Sequence, residues 1–154
     1  MFKKLSRPTK WLVSLLLVVL LASLAASLVQ NSFFSVKVDK ISFETENGEL
    51  AGYLYTPRGV DDANPAPAVI LTHGYLNNSE MQEIGAIELS RRGFVVLAFD
   101  MYDHGDSVWE TPAPFNFFVR SVYDATQYMY DQDYVLKDSL GKNYEDAYLN
   151  EKQQ

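Results

Sequence analysis

The chain has 154 residues, of which 47% are apolar, 21% charged and 14% aromatic, a globular composition rather than a disordered or fibrous one. The formal net charge is -7, but Lys3, Lys4, Arg7 and Lys10 sit in the first ten positions without an acid, which leaves 9 basic and 20 acidic residues for the rest. So acidic a body lacks the Lys and Arg surface that neutralises phosphate backbones, which excludes nucleic-acid binding as a leading function. The absence of cysteine excludes disulfides, thiolate metal sites, iron–sulfur clusters and a cysteine nucleophile.

The basic segment 1–10 precedes an uncharged stretch, Trp11 to Val29, which as a helix would span about 28 Å, close to a bilayer core. Two readings fit. One is an uncleaved transmembrane anchor, residues 11–29, embedded in the lipid bilayer as a single pass. The other is a signal peptide with an apolar core from Trp11 to Leu21 and a small-residue cleavage region from Ala22 to Ser27, which would leave the body secreted. Continuation of the apolar run through Leu28 and Val29 favours the anchor. The basic flank on the N-terminal side predicts a cytoplasmic N-terminus and an extracytoplasmic body.

The body is expected over residues 35–136. Ser35 to Thr45 alternates apolar and polar residues, with a phase slip between Val38 and Ile41 that leaves room for a bulge. Asn47-Gly48 suits a type I′ hairpin turn, and Leu50 to Thr56 is expected as the returning strand. After Pro57, Pro65 and Pro67, the run Ala68 to Thr72 is short and wholly apolar before its last residue, the pattern of a strand buried on both faces. Ser79 and Gln82 stand at capping-box spacing and predict a helix from Glu80 to Arg92, with Met81, Ile84, Gly85 and Leu89 on one face and Gly93 as its stop. Phe94 to Asp100 is a second apolar strand. Strand, helix and strand in this order predict a right-handed crossover between parallel strands. Met101 to Phe115 reads as a loop. Phe118, Val122, Ala125 and Met129 recur at helical spacing from Asn116 to about Gln132. The polar tail 137–154 reads as loop or disorder.

Both histidines fall just past the ends of the apolar strands, where open α/β sheets place their ligands: His73 in Thr72-His73-Gly74-Tyr75, and His104 in Asp100-Met101-Tyr102-Asp103-His104-Gly105-Asp106-Ser107. A strand ending in H-G, a helix, R-R-G, and a strand ending in D…H-G-x-S resembles the N-terminal half of an α/β-hydrolase, over about residues 36–136. The resemblance implies an α/β fold, a partial α/β-hydrolase-like sheet made of an N-terminal antiparallel hairpin and a parallel strand-helix-strand unit. It also implies site roles. The backbone N–H of Tyr75, with its hydroxyl as a further donor, would serve an oxyanion hole; Gly74 would let the backbone approach a substrate carbonyl; and His73 would orient the loop. Asp100, His104, Gly105 and Ser107 would shape the turn. Tyr102 stands where the family often has Arg, and Asp103 where it often has Gly.

No G-x-S-x-G frames any of the eight glycines, and Ser139-Leu140-Gly141 lacks both the first glycine and a preceding apolar strand. A triad nucleophile, acid and base are therefore not expected within these residues. The resemblance implies the N-terminal portion of a membrane-anchored serine hydrolase for small ester or amide substrates, catalytically incomplete in this stretch. The alternative is a small anchored non-enzymatic module that binds a partner through its aromatic surface, which draws on 10 Tyr and 9 Phe. By the family's strand order Ala68 to Thr72 would be an open sheet edge here, an aggregation hazard. No cofactor is expected, since the nucleotide-binding glycine motifs are absent. Asp100, Asp103, His104 and Asp106 lack the spacing of calcium or paired-histidine zinc sites, so no metal is expected either.

Overall fold

The computed structural model describes residues 6–30, 33, 35–110 and 117–140. Helix α1, Arg7–Gln30, is 24 residues long and so rises about 36 Å. None of its apolar window is buried, and it is long and apolar enough to cross a membrane, a property it shares with signal sequences.

The body is one five-stranded sheet with a helix on each face. Strand β1, Val36–Thr45, pairs antiparallel with β2, Gly48–Pro57, in an unbroken register from Val36↔Pro57 to Thr45↔Gly48, so the bulge expected near Asp39 does not form. That register makes Glu46 and Asn47 the turn pair, one residue earlier than expected, and neither has a left-handed φ. Thr45 replaces the type I′ chemistry: its Oγ1 accepts the Asn47 N–H (3.1 Å) and donates to the Gly48 carbonyl (2.8 Å).

Strand β3, Ala68–Leu71, runs parallel to β4, Val95–Phe99, and β4 pairs antiparallel with β2, giving the order β1-β2-β4-β3. The expected hairpin and parallel unit are thus joined in one sheet. All five β4 side chains are fully buried, as its unbroken apolar run requires. Val95, Leu97 and Phe99 point to one face with Leu50 and Leu54, where Ala125 and Met129 of α3, Phe117–Tyr130, cover them. Val96 and Ala98 point to the other, with Val36 and Tyr55, against Ala86 of α2, Glu83–Arg91. Each large apolar side chain so buried contributes about 1.5–3 kcal/mol.

Three local expectations are overturned. Ser79–Gln82 is a 3-10 turn and α2 starts only at Glu83, because the capping box is not made: the Gln82 amide donates instead to the Thr72 carbonyl at 3.0 Å, and Ser79 is buried. The buried face of α2 is Ala86 and Ser90, whereas Met81 and Ile84 are 66% and 85% exposed. Val108–Trp109, read as loop, forms a short strand β5 on Gly48 and Glu49 of β2. Thr111–Asn116 and 141–154 lie outside the described residues.

Nor is the chain from 137 wholly irregular. Lys137–Leu140 forms a 3-10 turn, Val135 makes a parallel bridge to Ala66, and the Ser139 hydroxyl accepts the Ala68 N–H at 3.0 Å. The outer side of β3 is therefore covered at its start, and among the described residues no strand pairs with it further along.

Burial raises the Tyr55 hydroxyl to about 12, helped by the nearby Glu83 charge, and burial likewise raises Tyr102 and Tyr134. A phenol kept protonated by the fold contributes stability that is whole below its unfolded pKa of about 10 and is lost as pH climbs through the folded value. Thermal unfolding is expected to show a plateau up to about pH 9.5 and a decline from there to about pH 12, and Tyr55→Phe to make that decline shallower. A flat profile to pH 12 would contradict this.

Candidate active site

The site lies at the C-terminal ends of β3 and β4, and a buried carboxylate organises it. Asp100 follows β4 and is 5% exposed. Its Oδ1 accepts the Ser79 N–H at 2.6 Å and its Oδ2 accepts the Asp106 N–H at 3.0 Å. One side chain thereby ties the start of the α2 region to the far side of the 100–107 turn. Gly105 makes this arrangement fit: a Cβ there would stand 2.1 Å from Asp100 Oδ2, and the backbone takes φ +51. Ser107 closes the turn, donating to the Asp100 carbonyl (2.6 Å) and accepting the Ala51 N–H of β2 (2.9 Å).

His73 is buried beside this turn. Its Nε2 accepts the Met101 N–H at 2.9 Å, and its Nδ1 meets the Gly74 carbonyl, also at 2.9 Å, which makes Nδ1 the donor. Both ring nitrogens are thus committed to backbone partners in one neutral tautomer. A histidine so held fixes the end of β3 against the end of β4 and has no lone pair left to act as a base.

Gly74 and Tyr75 then leave the sheet in a turn closed by the Asn77 N–H on the Gly74 carbonyl at 3.2 Å, with Leu76 at φ +61. The N–H groups of Tyr75 and Leu76 have no hydrogen-bond partner among the described residues. The Tyr75 ring is 71% exposed and stands edge-on to His104 (5.8 Å between centroids) and to Phe118 of α3 (6.0 Å). His73 and His104 lie 5.1 Å apart, so His73, Tyr75, His104 and Phe118 form one aromatic group above the strand ends. Space is open around Gly74: a Cβ there would meet nothing within 4 Å.

The two departures from the hydrolase turn are accommodated. Asp103 adopts φ +59, a left-handed conformation that Asp tolerates better than most residues. Tyr102 turns inward, fully buried, donating from its hydroxyl to Asp124 of α3 at 2.7 Å and meeting the Thr45 hydroxyl, while its ring packs edge-on to Trp109 at 4.5 Å. Ser121 accepts the Tyr102 N–H at 3.0 Å. Sequence reasoning passes over Ser121 and Asp124 and reads Ser79 only as a helix cap, whereas these three bond the site from 19 to 22 residues away in the chain. Leu76 and Phe118 were also missed as site neighbours, although the helical period does put Phe118 in the first turn of α3. Among the described residues no group of three or more His, Asp or Glu is placed to hold a metal ion.

No protein-family model matches the chain, and no curated protein matches it. Solved structures do. It is similar to a hypothetical protein of Pseudomonas aeruginosa at 22% identity and a TM-score of 0.58, over 68% of this chain and 34% of that one. It is also similar to an esterase of Pyrobaculum calidifontis at 23% identity and a TM-score of 0.51, over 76% of this chain and 36% of that one. Likeness at such identity bears on fold: the sheet is part of an α/β-hydrolase fold. The chain spans about a third of the length of these two proteins.

Proposed function

We propose that these residues are the N-terminal part of a membrane-anchored serine hydrolase that transfers acyl groups from small esters or amides, and that the Gly74-Tyr75 turn supplies its oxyanion contact. The observation that carries this reading is the pair of N–H groups at Tyr75 and Leu76, without a hydrogen-bond partner among the described residues, in the turn that follows β3 beside an open Gly74. When a nucleophile attacks a carbonyl, charge gathers on its oxygen, and a fixed N–H at about 3 Å favours that state over the flat substrate. His73 is a positioning residue here: through Met101 it sets where the turn leaves the sheet. The exposed ring of Tyr75 and the half-buried ring of Phe118 would form an apolar wall for the acyl chain.

Nucleophile, acid and base belong to residues beyond Gln154 in this reading, since G-x-S-x-G does not occur within the sequence. A fluorophosphonate probe, which labels activated serines, is therefore expected to label the natural gene product in its membranes and to leave the 154-residue chain unlabelled. A folded natural product that neither takes the probe nor hydrolyses nitrophenyl esters would overturn the proposal in favour of a binding module.

A further inference from the structure

We infer that the body stands on the bilayer with its chain-attachment end against anionic headgroups and its candidate site turned away into the aqueous phase, so that substrate arrives from water rather than from lipid. This rests on the reading of α1 as an uncleaved anchor. Gln30 and Val36 are six residues apart, a reach of at most about 20 Å, so the start of β1 is held near the membrane surface. Strand directions then place everything else. β1 opposes β2 and β2 opposes β4, so β1, β3 and β4 all start at one end. The Asp100 N–H bonds the Ala51 carbonyl, and Ala51 pairs with Ser42, six residues along β1. Asp100, and His73 beside it, therefore stand about 20 Å further from the attachment end than Val36 does.

Charge follows the same axis. Of the seven Lys and Arg among the described body residues, five (Lys37, Arg58, Arg91, Arg92 and Lys137) are exposed near the attachment end. Lys37 pairs with Asp39, and Glu88 answers both Arg91 and Arg92. At the site end Lys40 is bound to Asp106 at 2.7 Å, and Arg120 in the first turn of α3 completes the cations there, against Glu44, Glu46, Glu80, Asp103 and Glu110 among others. The remaining acids are divided between the ends, so most of the net negative charge falls at the site end. An anionic surface repels that end and tolerates the other, where long basic side chains reach the headgroups.

The test uses the full chain in vesicles. It has no cysteine, so single labels go where they are placed. With a donor dye on Ala63→Cys, in the exposed loop between β2 and β3, or on Glu46→Cys, at the β1–β2 turn about 30 Å along β1, energy transfer to acceptor-labelled headgroups is expected to be about threefold greater from position 63. Reversing Arg58, Arg91 and Arg92 to Glu should narrow that difference on anionic vesicles and leave it unchanged on zwitterionic ones. Equal transfer from a vesicle-bound chain, or greater transfer from position 46, overturns the orientation alone. A mature protein that has lost residues 1–29 overturns the anchor reading and the orientation with it.

Discussion

Gly52→Ala is expected to destabilise the body by about 3 kcal/mol, near the upper end for an overpacked site. Gly52 lies in β2 between Ile41 of β1 and Phe99 of β4. A Cβ there would stand 2.4 Å from the Ala98 carbonyl oxygen and 2.6 Å from Phe99 Cα. These are backbone atoms of the most buried strand, so no side-chain rotation relieves the clash; β2 and β4 must separate. The control is Gly74→Ala, where the Cβ enters open space and φ is outside the left-handed region. Its effect is expected to stay within about 0.5 kcal/mol. Urea unfolding of the two variants decides the matter, and equal midpoints would show that β2 and β4 do not pack this closely.

Asp100→Ala should cost a comparable amount, about 3 kcal/mol, because two N–H groups at Ser79 and Asp106 lose a charged acceptor. Asp100→Asn keeps one acceptor oxygen and presents an amide to the other donor, so an intermediate loss is expected. Asp106→Ala removes only the exposed ion pair with Lys40, which solvent screens, so its effect is expected to be much smaller. Hydrogen exchange adds a spatial readout: in Asp100→Ala the amides of Ser79 and Asp106 should lose protection together, although they are 27 positions apart. Loss at one without the other would mean that the carboxylate does not bridge them.

These positions show what sequence reasoning could reach. The unbroken apolar runs at 68–72 and 94–100 were legible as strands; burial on both faces holds for β4, whose five residues are all buried, but in β3 only Ala68 is buried and Val69, Ile70 and Leu71 are half-buried, because its outer side has no strand beside it among the described residues. The period of Phe118, Val122, Ala125 and Met129 marked α3, and the H-G and D…H-G-x-S segments marked the strand ends where the site lies. Long-range partners decided the rest. Ser79 looks like a helix cap from its neighbours, but its N–H is claimed by Asp100, 21 residues on, and the helix starts later as a result. Met81 and Ile84 fit an apolar face that α2 does not bury: Ala86 and Ser90 are its buried residues, with Ile87 and the expected Leu89 half-buried against the same cluster. The Asn47-Gly48 turn lost to a register in which β2 begins at Gly48, two residues before Leu50, and pairs it with Thr45. Val135 lies in a short apolar run, Tyr134 to Leu136, and Ser139 in the polar tail beyond it, neither with a periodic signal, and it is the uncovered start of β3 that recruits them.

The most direct measurement is kcat for ester hydrolysis by the natural membrane-bound gene product carrying Tyr75→Pro, beside Tyr75→Phe. Proline suits the second position of the Gly74–Asn77 turn and removes the ring together with an N–H that has no hydrogen-bond partner among the described residues, so Tyr75→Ala, which loses the ring and keeps the N–H, is measured as the control. Relative to Tyr75→Ala, a further fall of about 100- to 1,000-fold in kcat with KM and stability nearly unchanged is expected for Tyr75→Pro, the loss typical of one oxyanion donor, and a much smaller change from the natural enzyme for Tyr75→Phe. An active enzyme whose kcat is untouched by Tyr75→Pro would contradict the assignment of this turn to the oxyanion.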